Sequence, residues 1–338
     1  MASQPARATM VVHGGRVEER LASLEGAESA LVLGTGMAAV ACTMLSLLRS
    51  GDHLVASSWL NGDVRRFFET ELLNLGIDVA FVDPTETRGW RRMIRTNTRL
   101  LFLGTPVHST TRVADLNPPR LLAQELGIAL VVDSTHASPI NFRPIEHGAD
   151  VVIHAGDAYL HSEQGLQAGV VCGAQALIDE VREKMLLWGQ SPDAGMVAQL
   201  DRGLNTLDIR VARQNANAEQ VARWAASQAS IRQTYYPGLP SHIDHEVAAA
   251  TLDGFGSTVV LDFGDDAMKA LRVISRLRLF CSSAAIGGGG SLACALAASE
   301  TALSRSPQPL TVSEGAVRLG IGLEDATDLI ADLAQAME

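Results

Sequence analysis

The stretch Ala30-Leu31-Val32-Leu33-Gly34-Thr35-Gly36 joins an apolar run to an abrupt glycine turn, after which a periodic pattern continues to about Leu48. Four consecutive apolar residues are typical of a buried strand, and the periodic stretch favours a helix. The alternation recurs along the chain, where further apolar runs end near Ala56, Val82, Leu103, Asp133 and His154. Near-continuous apolar strands separated by helices predict a mostly parallel sheet with helices on both faces.

A different pattern follows the last of these strands. Residues 176–228 are rich in helical periodicity, and Pro192-Asp193 marks a helix start inside them. After the turn-rich segment 236–240 come a strand (257–263) and helices (266–277 and 325–337). We therefore expect a short N-terminal arm over residues 1–27, a large domain over 28–215 and a C-terminal α/β domain over 216–338.

Composition excludes several classes of protein. The 338 residues are 47% hydrophobic and 19% charged, which is too apolar for a disordered chain. The net charge of −11 argues against nucleic acid or an anionic membrane as a partner. No apolar run reaches the roughly 20 residues that cross a bilayer, and the N-terminus has no apolar signal core. We expect a cytoplasmic protein.

The chain has few lysines, tyrosines and cysteines. The chain has two lysines, Lys184 and Lys269, so any mechanism that needs a lysine amine is limited to those positions. Its three tyrosines are Tyr159, Tyr235 and Tyr236. The four cysteines, at positions 42, 172, 281 and 294, are scattered without a paired spacing. This spread predicts reduced thiols and no metal site.

Ligands of open parallel sheets bind beyond the carboxyl ends of the strands. Four clusters of small or polar residues follow the predicted strands, at 35–37, 105–108, 133–136 and 154–158. We expect these four clusters to meet in one pocket.

Ordered motifs extend along almost the whole chain. They include Leu-Ala-Ser-Leu-Glu-Gly (21–26), Phe-Val-Asp-Pro-Thr (81–85), Arg-Gly-Leu-Asn-Thr-Leu (202–207), Tyr-Pro-Gly-Leu-Pro-Ser-His (236–242) and the run 317–325. In these motifs the chain resembles the Cys/Met-metabolism family of pyridoxal-phosphate (PLP) enzymes, which includes cystathionine γ-synthase, cystathionine lyases and methionine γ-lyase. The resemblance implies a fold-type I PLP-dependent transferase: an α/β large domain with a mostly parallel sheet, and a smaller C-terminal α/β domain.

The resemblance also identifies where this chain departs from the family. Family members form a Schiff base between PLP and a lysine, because an aldimine requires an amine. The family motif Ser-Ala-Thr-Lys-Tyr matches 155–159 here, which puts Ala158 at the lysine position. Ala155 and Asp157 replace hydroxyls that bind the cofactor phosphate. Each carboxylate–phosphate charge pair at about 4 Å costs on the order of 4 kcal/mol at an effective dielectric of 20. Asn61 replaces the tyrosine that stacks on the ring.

Other family positions are retained. By the resemblance, Gly36 and Met37 present N–H groups to a phosphate at a helix N-terminus. Asp133 matches the aspartate beside the pyridinium nitrogen, Thr135 matches its neighbour, and Arg318 matches the arginine that binds the substrate carboxylate. Each residue type also suits a structural role: a tight turn, a helix cap or an ion pair. The functional and the structural interpretation of these positions both stay open. We predict no metal and no covalently bound PLP.

Four histidines align around the same pocket: His108, His136, His154 and His161. Imidazole moves protons near neutral pH, so His108 and His136 are candidate bases for an altered reaction. A repacked or solvated pocket is the competing interpretation.

Three hypotheses follow from these residues. In the first, the chain is a non-catalytic subunit of a homo- or hetero-oligomer that supports an active PLP-dependent paralogue. In the second, it is an enzyme whose pocket (Asp133, Arg318, His108 and His136) acts on an amino acid or another small molecule. In the third, it is an engineered Lys-to-Ala variant that traps a ligand. We favour the first, because several groups that serve one cofactor are lost together.

Overall fold

The computed structural model describes residues 15–107, 110–156, 158–161, 167–283, 287–296 and 313–338. The first sheet has seven strands: β1 (Ser29–Leu33), β2 (His53–Ser57), β3 (Asp78–Val82), β4 (Thr98–Gly104), β5 (Ala129–Asp133), β6 (Val151–Ala155) and β7 (Gly169–Gly173). Their order is β1-β7-β6-β5-β4-β2-β3. The run from β6 to β3 is parallel, which confirms the mostly parallel sheet. Strand β7 was not predicted, and it pairs antiparallel with both β6 and β1.

Helices cover both faces of this sheet. They are α1 (Gly15–Glu25), α2 (Gly36–Leu47), α3 (Gly62–Arg66, continued by a π-helical turn Phe67–Leu72), α4 (Gly89–Met93), α5 (Asn117–Leu126), α6 (Ser138–Asn141), α7 (Gln175–Leu187) and α8 (Ala194–Leu204). Adjacent strand residues alternate between two cores: Val132 belongs to one and Val131 to the other. A fully buried aliphatic side chain contributes about 1.5–3 kcal/mol, so burial on both faces explains the unbroken apolar strands.

The second sheet has five strands: β8 (Gln233–Tyr235), β9 (Thr258–Asp262), β10 (Cys281–Ser282), β11 (Leu292–Ala295) and β12 (Ala316–Gly320). Their order is β10-β11-β12-β9-β8, and all pairs except β10–β11 are antiparallel. The later helices are α9 (Leu207–Ala226), α10 (His245–Thr251), α11 (Ala267–Arg276) and α12 (Ala326–Met337). Residues of α9, α11 and α12 form one core with this sheet.

The long helix α9 connects the two sheets. The boundary expected between residues 215 and 216 falls inside this helix. Arg210 on α9 donates to the Tyr159 carbonyl of the first part, at 3.1 Å, and Gln214 donates to the Gly288 carbonyl of the second, at 2.8 Å. No helix within the described residues is both long and apolar enough to cross a membrane.

Candidate functional site

The carboxyl ends of β5, β6 and β4 meet through Asp133 and Thr135. The Thr135 hydroxyl donates to Asp133 Oδ1 at 2.5 Å and accepts the Ala155 N–H at 2.8 Å. The Thr135 N–H also donates to Asp133 Oδ1, at 3.0 Å, and the Thr105 N–H donates to the Asp133 carbonyl, at 3.1 Å. Three of the four strand-end clusters are therefore joined by hydrogen bonds.

The fourth cluster, at the start of α2, lies beside the same residues. A Cβ atom on Gly36 would come within 2.8 Å of the Ala155 Cβ, so only glycine fits this approach. Thr35 caps the helix by accepting the Ala38 N–H at 3.0 Å. Helix geometry leaves the Gly36 and Met37 N–H groups without partners inside the helix, which is a local feature of an anion site.

Two charged groups of the predicted pocket act on the pKa of His136. Burial lowers the pKa of His136 to about 4; the Asp133 carboxylate opposes this shift and the Arg318 guanidinium adds to it. Arg318 comes from β12 of the second sheet and is only 1% exposed. The structure therefore brings Asp133, His136 and Arg318 into one electrostatic cluster, with a neutral imidazole at neutral pH.

A cleft of about 320 Å³, solvent included, adjoins His136. One wall follows β4 and β5, and the other belongs to the second sheet and its connections. The lining residues are Pro106, Val107, Thr111, His136, Ala137, Pro237, Gly254, Phe255, Gly256 and Thr258. The cleft is mostly apolar, and its polar side chains are two hydroxyls and one imidazole.

The segment after β6 is packed tightly. Ala158 is 5% exposed and belongs to the large hydrophobic core. Tyr159 is buried as well, and its hydroxyl lies 2.8 Å from Ser257 Oγ. Burial raises the pKa of Tyr159, and the hydrogen bonds to Ser257 partly oppose this shift, so the phenol stays protonated at neutral pH. The guanidinium of Arg210 fixes the Tyr159 carbonyl from α9.

Several other predicted residues have partners of their own. His154 Nε2 lies 2.8 Å from Glu25 Oε2, and both side chains are buried beside α1. His161 is buried with its backbone against Gly203 of α8. Asn61 is exposed and caps α3 by accepting the Asp63 N–H at 2.9 Å. His108 and Asp157 lie outside the described residues.

One group beside the cleft was not predicted. The Arg112 guanidinium donates two hydrogen bonds to the Asp244 carboxylate, from Nε at 2.5 Å and from Nη2 at 3.1 Å. Its central carbon lies 4.3 Å from the centroid of the Trp59 ring. His242, the last residue of the motif at 236–242, lies between Thr111 and Asp244. The motif was the available signal, but its partners lie more than 130 residues earlier in the chain.

The described residues beside Asp133 do not fit a Schiff-base cofactor, because none of them offers an amine. Lys269 is on α11, where its Nζ donates to the Ser230 carbonyl at 2.8 Å and lies over the Phe263 ring. Lys184 is in the last turn of α7, which packs against α2. The Thr135 hydroxyl is already engaged on both sides. Among the described residues, no three His, Cys, Asp or Glu side chains are grouped to hold a metal ion.

Comparisons with known proteins place the chain in a family. The sequence profile described as Cys/Met metabolism PLP-dependent enzyme matches residues 10–338. The chain is similar to an L-methionine gamma-lyase of Pseudomonas putida, with 33% identity over 327 residues that cover 95% of this chain and 82% of that protein.

Two solved structures share the fold. The metB structure from Corynebacterium glutamicum has a TM-score of 0.90 and 30% identity, over 95% of this chain and 83% of that one. A putative O-acetylhomoserine (thiol)-lyase (metY) from Campylobacter jejuni has a TM-score of 0.90 and 25% identity, over 96% and 86%. The latter structure carries N'-pyridoxyl-lysine-5'-monophosphate at its position 205. This chain, with its fold-type I α/β architecture, belongs to the Cys/Met metabolism PLP-dependent enzyme family.

Proposed function

We propose that this chain is a non-catalytic member of its family, which supports an active PLP-dependent paralogue within an oligomer. One observation carries the proposal: the residue that the resemblance aligns with the Schiff-base lysine is Ala158, buried in the core under Gly287. The Campylobacter jejuni relative has a pyridoxyl-lysine. Here the two lysines lie on helices α7 and α11.

The surface offers support for an oligomeric role. At the end of α7, Leu187 and Trp188 are 78% and 50% exposed, and Leu186 is 43% exposed. Contiguous exposed apolar side chains of this size are typical of protein interfaces, where aromatic residues are enriched. We propose an oligomer with itself or with a lysine-containing relative from the same genome.

The decisive experiment tests for aldimine chemistry. The purified chain is titrated with PLP, its visible absorbance is recorded, and the mixture is reduced with borohydride and analysed by peptide mass spectrometry. We expect no aldimine absorbance band, and we expect no pyridoxyl adduct on either lysine of the folded protein. The variant Lys184→Arg/Lys269→Arg is the control for nonspecific labelling. An adduct accompanied by turnover of an amino acid would overturn the proposal.

The supporting role needs its own measurement. The chain is co-expressed with a lysine-containing family member, and mass and stoichiometry are determined by light scattering after size-exclusion chromatography. We expect a mixed oligomer, and we expect Leu187→Asp/Trp188→Ser to weaken it if the α7 end is the interface. If the two chains never copurify and each forms only its own oligomer, the supporting role is wrong.

A second candidate function rests on the Asp133–His136–Arg318 cluster. We propose that, if the chain is catalytic, this cluster binds the carboxylate of an amino acid or another small molecule through Arg318, with neutral His136 as the base. Calorimetric titration with a panel of amino acids tests it, with Arg318→Lys as the matched variant. Binding that is lost in Arg318→Lys favours this candidate, and the absence of binding to wild type eliminates it.

The engineered-variant hypothesis is tested by Ala158→Lys. If a single replacement had removed an intact site, the restored lysine would give an aldimine band with added PLP. We expect no such band, because Ala155, Asp157 and Asn61 also differ from the residues that the resemblance implies.

A further inference from the structure

The two walls of the cleft are each held by a histidine. His242 contacts Thr111, which belongs to the loop after β4, with Nε2 3.2 Å from the Thr111 hydroxyl. His245 contacts Pro237 on the opposite wall, with Nδ1 2.8 Å from its carbonyl. A third histidine, His136, lines the cleft itself. The contact between His242 and Thr111 therefore links the loop after β4 to the segment between β8 and α10.

Hydrogen bonding fixes His242 in a neutral form. The Asp244 N–H donates to Nδ1 at 3.2 Å, so Nδ1 carries no proton and Nε2–H donates to the Thr111 hydroxyl. That hydroxyl in turn donates to the Thr110 carbonyl at 2.7 Å. Thr111 has a φ of +53°, which is uncommon for a β-branched residue, so its backbone needs such external support.

A buried ion pair lies beside the contact between His242 and Thr111. Asp244 receives the Arg112 guanidinium and the Val113 N–H, and the side chains of Arg112 and Asp244 are both less than 10% exposed. His242 is 4% exposed. Arg112, Thr111, His242 and Asp244, which we call the latch, thus join the loop after β4 to the segment between β8 and α10.

We propose that the latch closes the cleft at neutral pH and opens it when the medium becomes weakly acidic. Protonation of His242 places a second donor opposite the Asp244 N–H and removes that hydrogen bond. It also brings a positive charge beside Arg112, in a buried position. Opening relieves both effects, because it returns the imidazolium to water. The proposal is independent of whether the chain is catalytic.

The charges around both histidines give the direction of the effect. Burial lowers the pKa of His242 to about 4. The Asp244 carboxylate and a hydrogen bond to the Thr110 backbone oppose this shift. The positive charges of Arg112 and His245 add to it. His136 has the same lowered pKa of about 4, from burial and Arg318 against Asp133. A solvated histidine has a pKa near 6.5. The closed state therefore binds fewer protons, and its advantage is complete above pH 6.5 and is lost as pH falls towards 4.

These pKa values give the expected change in the ratio of open to closed molecules. Between pH 7 and pH 5, solvation of His242 alone raises the open-to-closed ratio about twentyfold, since only the open state takes up the proton in this range. If His136 becomes solvated in the same step, the combined rise is several-hundredfold.

Hydrogen exchange measures this ratio directly. Mass spectrometry follows peptides that cover residues 110–116 and 239–248, with each rate normalised to the intrinsic rate at its pH. We expect the normalised rates to rise at least about twentyfold from pH 7 to pH 5. A peptide that covers β7 serves as an internal reference and is expected to stay constant.

Two variants assign the effect. His242→Gln keeps a donor and an acceptor but does not titrate, and we expect it to remove about twentyfold of the rise. His136→Gln tests the second ring in the same way and remains informative if His242→Gln does not fold. His147→Gln, which lies outside the cleft, is expected to behave as wild type. The proposal is overturned if wild type shows no rise, or if folded glutamine variants keep the full pH dependence.

Discussion

Gly287 packs against the backbone of Ala158 so closely that a Cβ atom at position 287 would lie 2.2 Å from the Ala158 carbonyl oxygen. Gly287 also has a φ of +81°, in the left-handed region that favours glycine. The contact ties the glycine-rich loop before β11 to the segment after β6. It covers the position where the resemblance places the family's lysine.

The first prediction concerns this contact. Gly287→Ala is expected to lower the free energy of unfolding by about 3 kcal/mol or more, because the new methyl group meets rigid backbone as well as an unfavourable φ. Gly51→Ala is the matched control: Gly51 has a φ of +92° but nothing within 4 Å of its Cβ position, so we expect about 1 kcal/mol. Urea denaturation measures both. Equal losses of unfolding free energy in the two variants would mean that the Ala158 backbone moves aside without an energetic cost.

The second prediction concerns the buried pair of Glu25 and His154. Glu25→Ala is expected to cost about 3 kcal/mol, because it leaves the His154 Nε2 buried without its partner. Glu19→Ala, on the exposed side of the same helix, is expected to change stability by less than about 0.5 kcal/mol. Thermal and urea unfolding of both variants test the difference. A loss below about 1 kcal/mol in Glu25→Ala would contradict this account.

The third prediction concerns Arg210. Its guanidinium donates to the Tyr159 carbonyl and, at 2.9 Å, to the Gly203 carbonyl, and it is 5% exposed. Arg210→Ala should cost about 2–4 kcal/mol, because two buried carbonyls lose a charged donor. Arg213→Ala, one turn further along α9 and exposed, should cost less than about 1 kcal/mol. Urea unfolding measures both variants. A similar loss of unfolding free energy in the two would contradict a stabilising role for the hydrogen bonds from Arg210 to Tyr159.

The fourth prediction concerns the cysteines. Burial raises the pKa of Cys42, although nearby Lys184 partly opposes this, and burial together with the Glu25 charge raises that of Cys172. Cys281 is exposed. A chromogenic thiol reagent at pH 8 should therefore show one fast-reacting thiol in the native protein and four in denaturant. Cys281→Ser should abolish the fast phase. A fast phase that survives this substitution would contradict the assignment.

Local pattern was sufficient to predict much of the fold. Apolar runs located the parallel strands, and Asp193 was recognised as a helix start; its side chain accepts the Met196 N–H at 2.9 Å. The expectation that ligands bind beyond the carboxyl ends of the strands also grouped Asp133, His136 and Gly36 correctly. It depends only on parallel strands sharing an edge.

Long-range relations were beyond the sequence pattern. The run Gly169–Gly173 is a short apolar segment whose antiparallel insertion between β1 and β6 depends on tertiary pairing. The latch joins Arg112 and Asp244 across 132 residues, with no local signal at the arginine. His154 was grouped with the pocket histidines, but its side chain pairs with Glu25 of α1.

Helix α9 has a consequence for how such a chain can evolve. Its side chains bind the first sheet's segments through Arg210 and Asn215, and the second sheet's loops through Gln214 and Asn217. A recombination event that exchanged one half of this gene for that of a relative would disrupt one of these two sets of hydrogen bonds. The two halves are therefore expected to be inherited together, because each half supplies partners to the same helix.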